Sequence, residues 1–285
     1  MVVGSDPGTK LKSSDPLEDL MTTSFETVTS ADGTPIAFER TGEGTPVILA
    51  GGAFNDRTTL AGLAATLAPD FTAIAYDRRG RGDSGAGAVY SVEREVEDLA
   101  AVIDHVGGSA AVFGHSSGAV LGLEAAARGV AMTSLAVYEP PYVVDDSRPR
   151  PGADLFDRVR ALIADGDRDG AAELFLVEGT DTPAEVVKGM REDAFWAWFA
   201  GLAHTLPYDL ALCGPGNVLP AGRLAKISVP TLVLDGGESD AWMRAAARAV
   251  ADTVPGARHA TVEGQDHGVL RQPDVLRGLL TEFLR

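Results

Sequence analysis

Residues Gly114–Gly118, with the sequence Gly-His-Ser-Ser-Gly, lie between the apolar run Ala110–Phe113 and the helix-like stretch Ala119–Arg128. A short apolar run followed by a glycine-flanked turn and an amphipathic segment is typical of a strand that passes sharply into a helix. Glycine on both sides removes side chains that would collide in so tight a turn. The stretch therefore predicts a strand, a turn and a helix, with Ser116 at the tip of the turn.

The serine in this turn is a candidate nucleophile. In the pattern G-x-S-x-G, a strained turn raises the serine hydroxyl above the sheet, next to the positive end of the helix that follows. The pattern alone is common, but its position between a strand and a helix is what the chemistry requires. Ser117 is the rival hydroxyl, and the glycine spacing centres on Ser116.

The same alternation extends outward in both directions. Eight short runs predict strands: 25–29, 36–40, 47–50, 72–76, 110–113, 135–138, 231–234 and 257–262. The internal runs are apolar on both faces, as in parallel strands covered by helices on either side. Helical stretches at 58–68, 92–106, 119–128, 241–253 and 275–284 separate them. We therefore expect an α/β fold, a mostly parallel, doubly wound sheet of eight strands.

The alternation stops between residues 142 and 228, where the pattern is helical only. We interpret this segment as a helical lid inserted into a core formed by residues 21–141 and 229–285. The polar segment 1–20 is interpreted as a disordered extension or tag. The aromatic residues Trp196, Trp198 and Phe199 belong either to the lid's own core or to the wall of a substrate pocket beneath it.

Two further segments, together with the serine turn, carry a family resemblance. Asp77–Ser84 matches the pattern D-x-x-G-x-G-x-S, and Gly51–Phe54 stands where His-Gly-x-x is usual. On these motifs the chain resembles the serine hydrolases of the α/β-hydrolase fold, of the lid-containing esterase or lactonase type. The resemblance implies that the Asp77 loop is structural. It also implies an oxyanion hole made by the backbone N–H groups of Ala53 and Ser117, with Phe54 at the pocket wall.

A serine nucleophile requires a base, and the chain has five histidines. His105, His204 and His259 lie on a helix end, in the lid and within the last strand. His115 lies inside the serine turn and is expected to point away from the nucleophile. His267 follows the last strand, in the chain order Ser–acid–His. Elimination and order both favour His267 as the base.

Two carboxylates compete for the role of the acid that orients this histidine. Asp240 follows the seventh strand, the usual position. However, Ser239 and Asp240 also begin a helix, as an N-cap hydroxyl and an acidic first turn, and this explains Asp240 without catalysis. Glu139 ends the sixth strand before Pro140 and Pro141, and a carboxylate buried there requires a partner. Some α/β-hydrolases, including the zearalenone-lactonase branch, take the acid from this position. We favour Glu139; Asp266 is adjacent to His267 in sequence and poorly placed to reach its ring.

Composition excludes several other classes of function. The formal charge of −17 disfavours a nucleic-acid partner, because phosphate binding requires clustered Lys and Arg. The single cysteine, Cys213, excludes an internal disulfide and a cysteine-built metal site. No apolar run approaches the length of a membrane span, and residues 1–20 lack the apolar core of a secretory signal. We expect a cytoplasmic protein with no membrane or nucleic-acid partner, no metal and no organic cofactor.

These observations predict an enzyme that cleaves a carboxylic ester or lactone of an apolar small molecule through an acyl-enzyme on Ser116. Alternatives with the same residues stay open. A C–C bond hydrolase or a perhydrolase would use the same serine, histidine and acid. A non-hydrolytic ligand-binding protein or cyclase on this scaffold would retain only parts of the set.

Overall fold

The computed structural model describes residues 25–285. The predicted extension or tag at residues 1–20 lies outside the described residues. Eight strands form one sheet: β1 (Glu26–Thr29), β2 (Pro35–Thr41), β3 (Thr45–Ala50), β4 (Phe71–Tyr76), β5 (Ala110–His115), β6 (Met132–Tyr138), β7 (Thr231–Gly236) and β8 (Arg258–Val262). Their spatial order is β1-β2-β4-β3-β5-β6-β7-β8.

The sheet is mostly parallel, which confirms the predicted fold class. Strands β3 to β8 run parallel to one another, whereas β1 and β2 form an antiparallel hairpin at one edge. Because β5 occupies the middle of the order, the turn at its carboxyl end lies over the centre of the sheet. In open α/β sheets, ligands bind at this edge.

Helices cover both faces of the sheet. The core helices are α1 (Ala61–Leu67), α2 (Val92–His105), α3 (Ser117–Ala127), α10 (Ala241–Thr253) and α11 (Arg277–Leu284). One buried cluster joins the sheet to α2, α3 and α10, and another joins it to α1 and α11. Strand residues such as Val112 and Phe113 alternate between these two clusters and are fully buried, which explains why the internal strands are apolar on both faces.

The segment between β6 and β7 contains six helices: α4 (Leu155–Ala164), α5 (Arg168–Leu174), α6 (Ala184–Arg191), α7 (Trp196–Leu202), α8 (Leu206–Cys213) and α9 (Ala221–Leu224). A π-helical turn, Phe175–Gly179, follows α5. This segment has its own apolar cluster, which includes Val159, Val187 and Leu206 and extends to Phe54 of the core. We refer to residues 142–228 as the lid, and the division into domains stays a prediction.

None of the helices in residues 25–285 is both long enough and apolar enough to cross a membrane. The cytoplasmic location expected from the sequence stays a prediction.

Candidate active site

Ser116 lies between β5 and α3, in a strained backbone conformation. Its φ is 57° and its ψ is −123°. A non-glycine residue in such a region costs about 1–3 kcal/mol, so the surrounding structure must hold it there. The Ser116 N–H donates to the carbonyl of Tyr138 at 2.9 Å, and the Ser116 carbonyl accepts from the first turn of α3. These bonds hold the turn that lifts the serine hydroxyl into the cavity above the sheet.

Two glycines, Gly118 in the first turn of α3 and Gly52 in the loop after β3, allow close packing around Ser116. A Cβ on Gly118 would collide with the carbonyl of Ala50 at the end of β3. A Cβ on Gly52 would lie 2.7 Å from Cβ of Ser116 and 3.2 Å from its Oγ. The loop after β3 is therefore pressed against the serine, and no larger residue fits at either position.

His267 and Glu139 form a hydrogen-bonded pair. Nδ1 of His267 lies 2.7 Å from Oε2 of Glu139. Glu139 is fully buried, has a φ of 47°, and accepts a second hydrogen bond at Oε1 from the Gly236 N–H at 2.8 Å. Because Nδ1–H donates to this carboxylate, Nε2 of the neutral ring is the nitrogen that can accept a proton.

The charge on Glu139 is stabilised by its partners. Burial favours the neutral acid, but the hydrogen bond and the positive charge offered by His267, with the Gly236 N–H, outweigh it and hold the pKa of Glu139 below its ordinary value. An ionised carboxylate at Nδ1 orients the ring and stabilises its protonated form.

The two rival carboxylates lie elsewhere. Asp240 is exposed at the start of α10, and within residues 25–285 its side chain makes no capping hydrogen bond to that helix and no ion pair with His267. The carboxylate of Asp266 accepts from the Gly268 N–H at 2.7 Å and from Arg271. The structure thus brings Glu139, and neither aspartate, to the imidazole of His267.

The expectation for His115 was wrong. Its ring does not point away from the site: it lines the cavity, lies tilted against the His267 ring at 4.8 Å between centroids, and its Nε2 lies 2.9 Å from the His267 carbonyl. Burial, together with repulsion from His267, lowers the pKa of His115 to about 3. The ring is therefore neutral near pH 7, and because a carbonyl can only accept, Nε2 carries the proton.

The predicted oxyanion residues lie next to the serine. Ala53 belongs to the loop after β3, and Ser117 is the first residue of α3; both line the same cavity as Ser116 and His267. The N–H groups in the first turn of a helix have no acceptor within that helix, so the Ser117 N–H is available to a bound ligand. Their role as oxyanion donors stays a prediction.

The cavity has a volume of about 900 Å³ and is lined by residues of both the core and the lid. Phe54, Trp198 and Phe199 line it, and the Trp198 indole N–H donates to the Phe54 carbonyl at 2.9 Å. Further apolar lining comes from both parts of the chain: Phe175, Leu176, Met190, Leu210, Cys213, Trp242 and Met243. A pocket of this size, mostly apolar with a few polar groups, suits a small organic molecule.

Of the two positions predicted for Trp196, the structure shows the lid's own core, and the prediction that it lines the substrate pocket is wrong. It is buried inside the lid, where its indole N–H donates to Asp169 at 2.6 Å and its ring stacks on Phe199 at 6.2 Å. Trp196 and Trp198 are two residues apart on one helix, so their side chains point in different directions. Trp196 therefore supports the pocket wall through Phe199.

A buried ion network beneath the serine was not predicted from the sequence. Asp209 of α8 accepts hydrogen bonds from Arg81 at 2.8 Å, from Arg78 at 2.9 Å and from the Ser117 hydroxyl at 2.6 Å. Glu95 pairs with Arg78 at 2.6 Å. Asp209 stands alone among apolar neighbours in Leu206–Cys213, and a lone acid in such a helix is a signal that a buried cation faces it.

Comparisons with known proteins identify relatives across most of the chain. A family model described as "Alpha/beta hydrolase family" matches residues 47–279. The chain is similar to a crystal structure described as an alpha/beta hydrolase from Sphaerobacter thermophilus, with 54% identity, a TM-score of 0.87, and coverage of 91% of this chain and 100% of that one. Comparison with curated proteins finds no significant match.

More distant structures carry specific descriptions. A thermophilic esterase from Thermogutta terrifontis is 26% identical, with a TM-score of 0.69 and coverage of 92% and 98% of the two chains. An enol-lactonase from Burkholderia xenovorans is 20% identical, with a TM-score of 0.69 and coverage of 91% and 99%. The second likeness shows the shared fold alone.

Proposed function

Because the chain belongs to the alpha/beta hydrolase family, we propose that it cleaves a carboxylic ester or lactone of an apolar small molecule, with Ser116 as nucleophile. One observation carries the proposal. A fully buried Glu139 lies 2.7 Å from Nδ1 of His267, and His267 and the strained Ser116 line one cavity. A serine, a histidine and an orienting carboxylate are the parts that acyl transfer requires.

In the proposed reaction, Oγ of Ser116 attacks the carbonyl carbon of the substrate while Nε2 of His267 takes the hydroxyl proton. The N–H groups of Ala53 and Ser117 stabilise the negative oxygen of the tetrahedral intermediate. When the intermediate collapses, the C–O bond breaks and His267 gives its proton to the leaving alkoxide. Water then attacks the acyl-enzyme by the same route, which releases the carboxylic acid and restores Ser116.

The chemistry of the cavity supports an apolar substrate. Aromatic and aliphatic side chains such as Phe54, Phe199 and Leu210 form most of its wall. Five acids line it: Asp181, Asp209, Glu238, Asp240 and Asp266. Asp209 is paired with Arg81, and Asp266 with Arg271, which also lines the cavity. Such a wall favours neutral acyl or alcohol groups over anionic ones, because an anion would be repelled and would lose its hydration.

The test is intact mass after brief exposure to a fluorophosphonate, which reacts with activated serines. We expect one adduct per chain on the wild type, no adduct on Ser116→Ala, and an adduct that persists on Ser117→Ala. A panel of neutral esters and lactones, with matched substrates that carry a carboxylate, then measures kcat/KM. Absence of both an adduct and turnover in folded wild type would refute the proposal.

A further inference from the structure

Two buried arginines of the Asp77 loop hold the carbonyl groups of the loop after β3. Nη1 of Arg81 donates to the carbonyl of Gly52 and, at 3.2 Å, to that of Asn55. Nη1 of Arg78 donates to the carbonyl of Gly51 at 3.2 Å. Both arginine side chains are at most 1% exposed, so water does not compete for these carbonyls.

The bond to Gly52 also fixes the direction of the Ala53 N–H. The Gly52 carbonyl and the Ala53 N–H belong to one planar trans peptide, in which C=O and N–H point in opposite directions. A guanidinium that holds the carbonyl on one side therefore aims the N–H toward the other side. Arg81 does not line the cavity, whereas Ala53 and Ser116 do, so this second side is the side of the cavity and the nucleophile. A charged donor on the carbonyl also polarises the peptide and strengthens its N–H as a donor.

Asp209 holds Arg81 in this position. Its two carboxylate oxygens accept from Nη2 of Arg81, each at 2.8 Å, and Oδ1 also accepts from the hydroxyl of Ser117 at 2.6 Å. Asp209 is 1% exposed and comes from α8 of the lid. One lid residue therefore acts on both segments that present the proposed oxyanion donors. It contacts Ser117 directly, and it acts on the peptide of Ala53 through Arg81.

We propose that Arg81 and Asp209 form a positioning pair that aims the Ala53 N–H at the oxyanion, an inference that rests on the proposed function. Buried ion pairs are poor sources of stability, because desolvation offsets their attraction and well-packed apolar residues often do as well. Stability therefore does not explain this buried pair, whereas orientation of the Gly52–Ala53 peptide dipole does. The pair touches no substrate atom and acts through the peptide that it holds.

The chain offers a matched control. Arg79 lies in the same loop, is equally buried, and pairs with Asp98 at 2.6 and 2.7 Å. Its other contacts are with Asp32 and the Arg94 carbonyl, away from the Gly52 peptide. Arg79→Met therefore breaks a buried ion pair of the same loop without touching the proposed oxyanion peptide.

The experiment compares Arg81→Met, Arg81→Lys and Asp209→Asn with Arg79→Met, using the best ester from the panel and a trifluoromethyl ketone as an analogue of the tetrahedral intermediate. Deleting an oxyanion donor lowers kcat about 100- to 1000-fold, and misdirecting one should lower it about 10- to 100-fold. We expect Arg81→Met to show this loss with KM changed less than about twofold, and weaker ketone binding by the same factor. Arg81→Lys should lose less of the wild-type kcat than Arg81→Met does. Asp209→Asn should also lower kcat.

Arg79→Met should keep kcat within about threefold of the wild type, whatever its melting temperature. If Arg81→Met fails to fold, Asp209→Asn decides the question on the same readouts. If the wild type turns over the ester but Arg81→Met and Arg79→Met have equal kcat, the positioning pair is wrong and the proposed function stands. The same conclusion follows if Arg81→Met weakens ground-state substrate binding by the same factor as it lowers kcat. A wild type with neither turnover nor a Ser116 adduct overturns the proposed function and this inference with it.

Discussion

Replacing His115 by glutamine is expected to remove a large part of the chain's loss of stability in mild acid. His115 is buried between Tyr138 and His267, and its pKa falls from an ordinary 6.5 to about 3 in the folded chain. The unfolded chain therefore binds a proton in a range of pH where the folded chain does not. Protonation favours the unfolded state, so stability is greatest above 6.5 and is lost as the pH falls toward 3.

The size of the effect follows from these two values. Between them, one proton changes the free energy of unfolding by about 1.4 kcal/mol per pH unit. From about pH 7.5 to about pH 5, His115 should cost the wild type about 2 kcal/mol. Glutamine keeps an N–H near the position of Nε2, and so keeps a donor for the His267 carbonyl, but it does not titrate.

The assay is urea unfolding followed by tryptophan fluorescence, for both proteins at both pH values. Each protein is its own control, because contributions from the other titrating groups cancel in the difference between the two pH dependences. We expect the variant to lose about 2 kcal/mol less than the wild type over this range. Parallel losses, with a difference under about 0.5 kcal/mol, would show that burial does not keep His115 neutral.

Four other substitutions test the site. Glu139→Gln should lower kcat at least about 100-fold with the fold intact, whereas Asp240→Asn should lower it less than about threefold. The opposite ranking in steady-state kinetics would show that Asp240 is the acid that orients His267. Gly52→Ala should abolish fluorophosphonate labelling of Ser116, because its Cβ would lie 2.7 Å from that of the serine, and normal labelling would contradict the packing described. Trp198→Phe removes the donor to the Phe54 carbonyl. It should raise KM for bulky esters up to about tenfold with little change in kcat. An unchanged KM would show that this wall does not contact substrate.

The sheet was predictable from the sequence because each strand carries its own local signal. Apolar runs such as Val47–Ala50 and Thr231–Leu234 are buried on both faces, and no other element accepts so many consecutive apolar residues over so short a length. The serine turn was equally visible, since its glycines are required by backbone contacts within the turn and with β3. Glu139 was suggested by the prolines that end β6 and leave a carboxylate at a buried edge.

The features that were missed depend on contacts between distant parts of the chain. The direction of the His115 ring is set by the His267 carbonyl, 152 residues away. Asp209 meets Arg81 across 128 residues, and no local pattern links the lid to the Asp77 loop. Trp196 and Trp198 differ only in their phase on a short helix, and the position of that helix over the sheet follows from packing of the whole lid.

The Asp209 network also limits how the lid of this chain can be exchanged for that of a relative. The lid lies between β6 and β7, and an insertion of this kind looks like a module that could be replaced as a unit. A donor lid without an acid at the position of Asp209 would leave Arg81 buried and without its carboxylate partner, at a cost of about 3–5 kcal/mol. The chimera would also lose the group that holds the Gly52 peptide through Arg81. Any recombination of this chain with a relative must therefore move the lid and the Asp77 loop together.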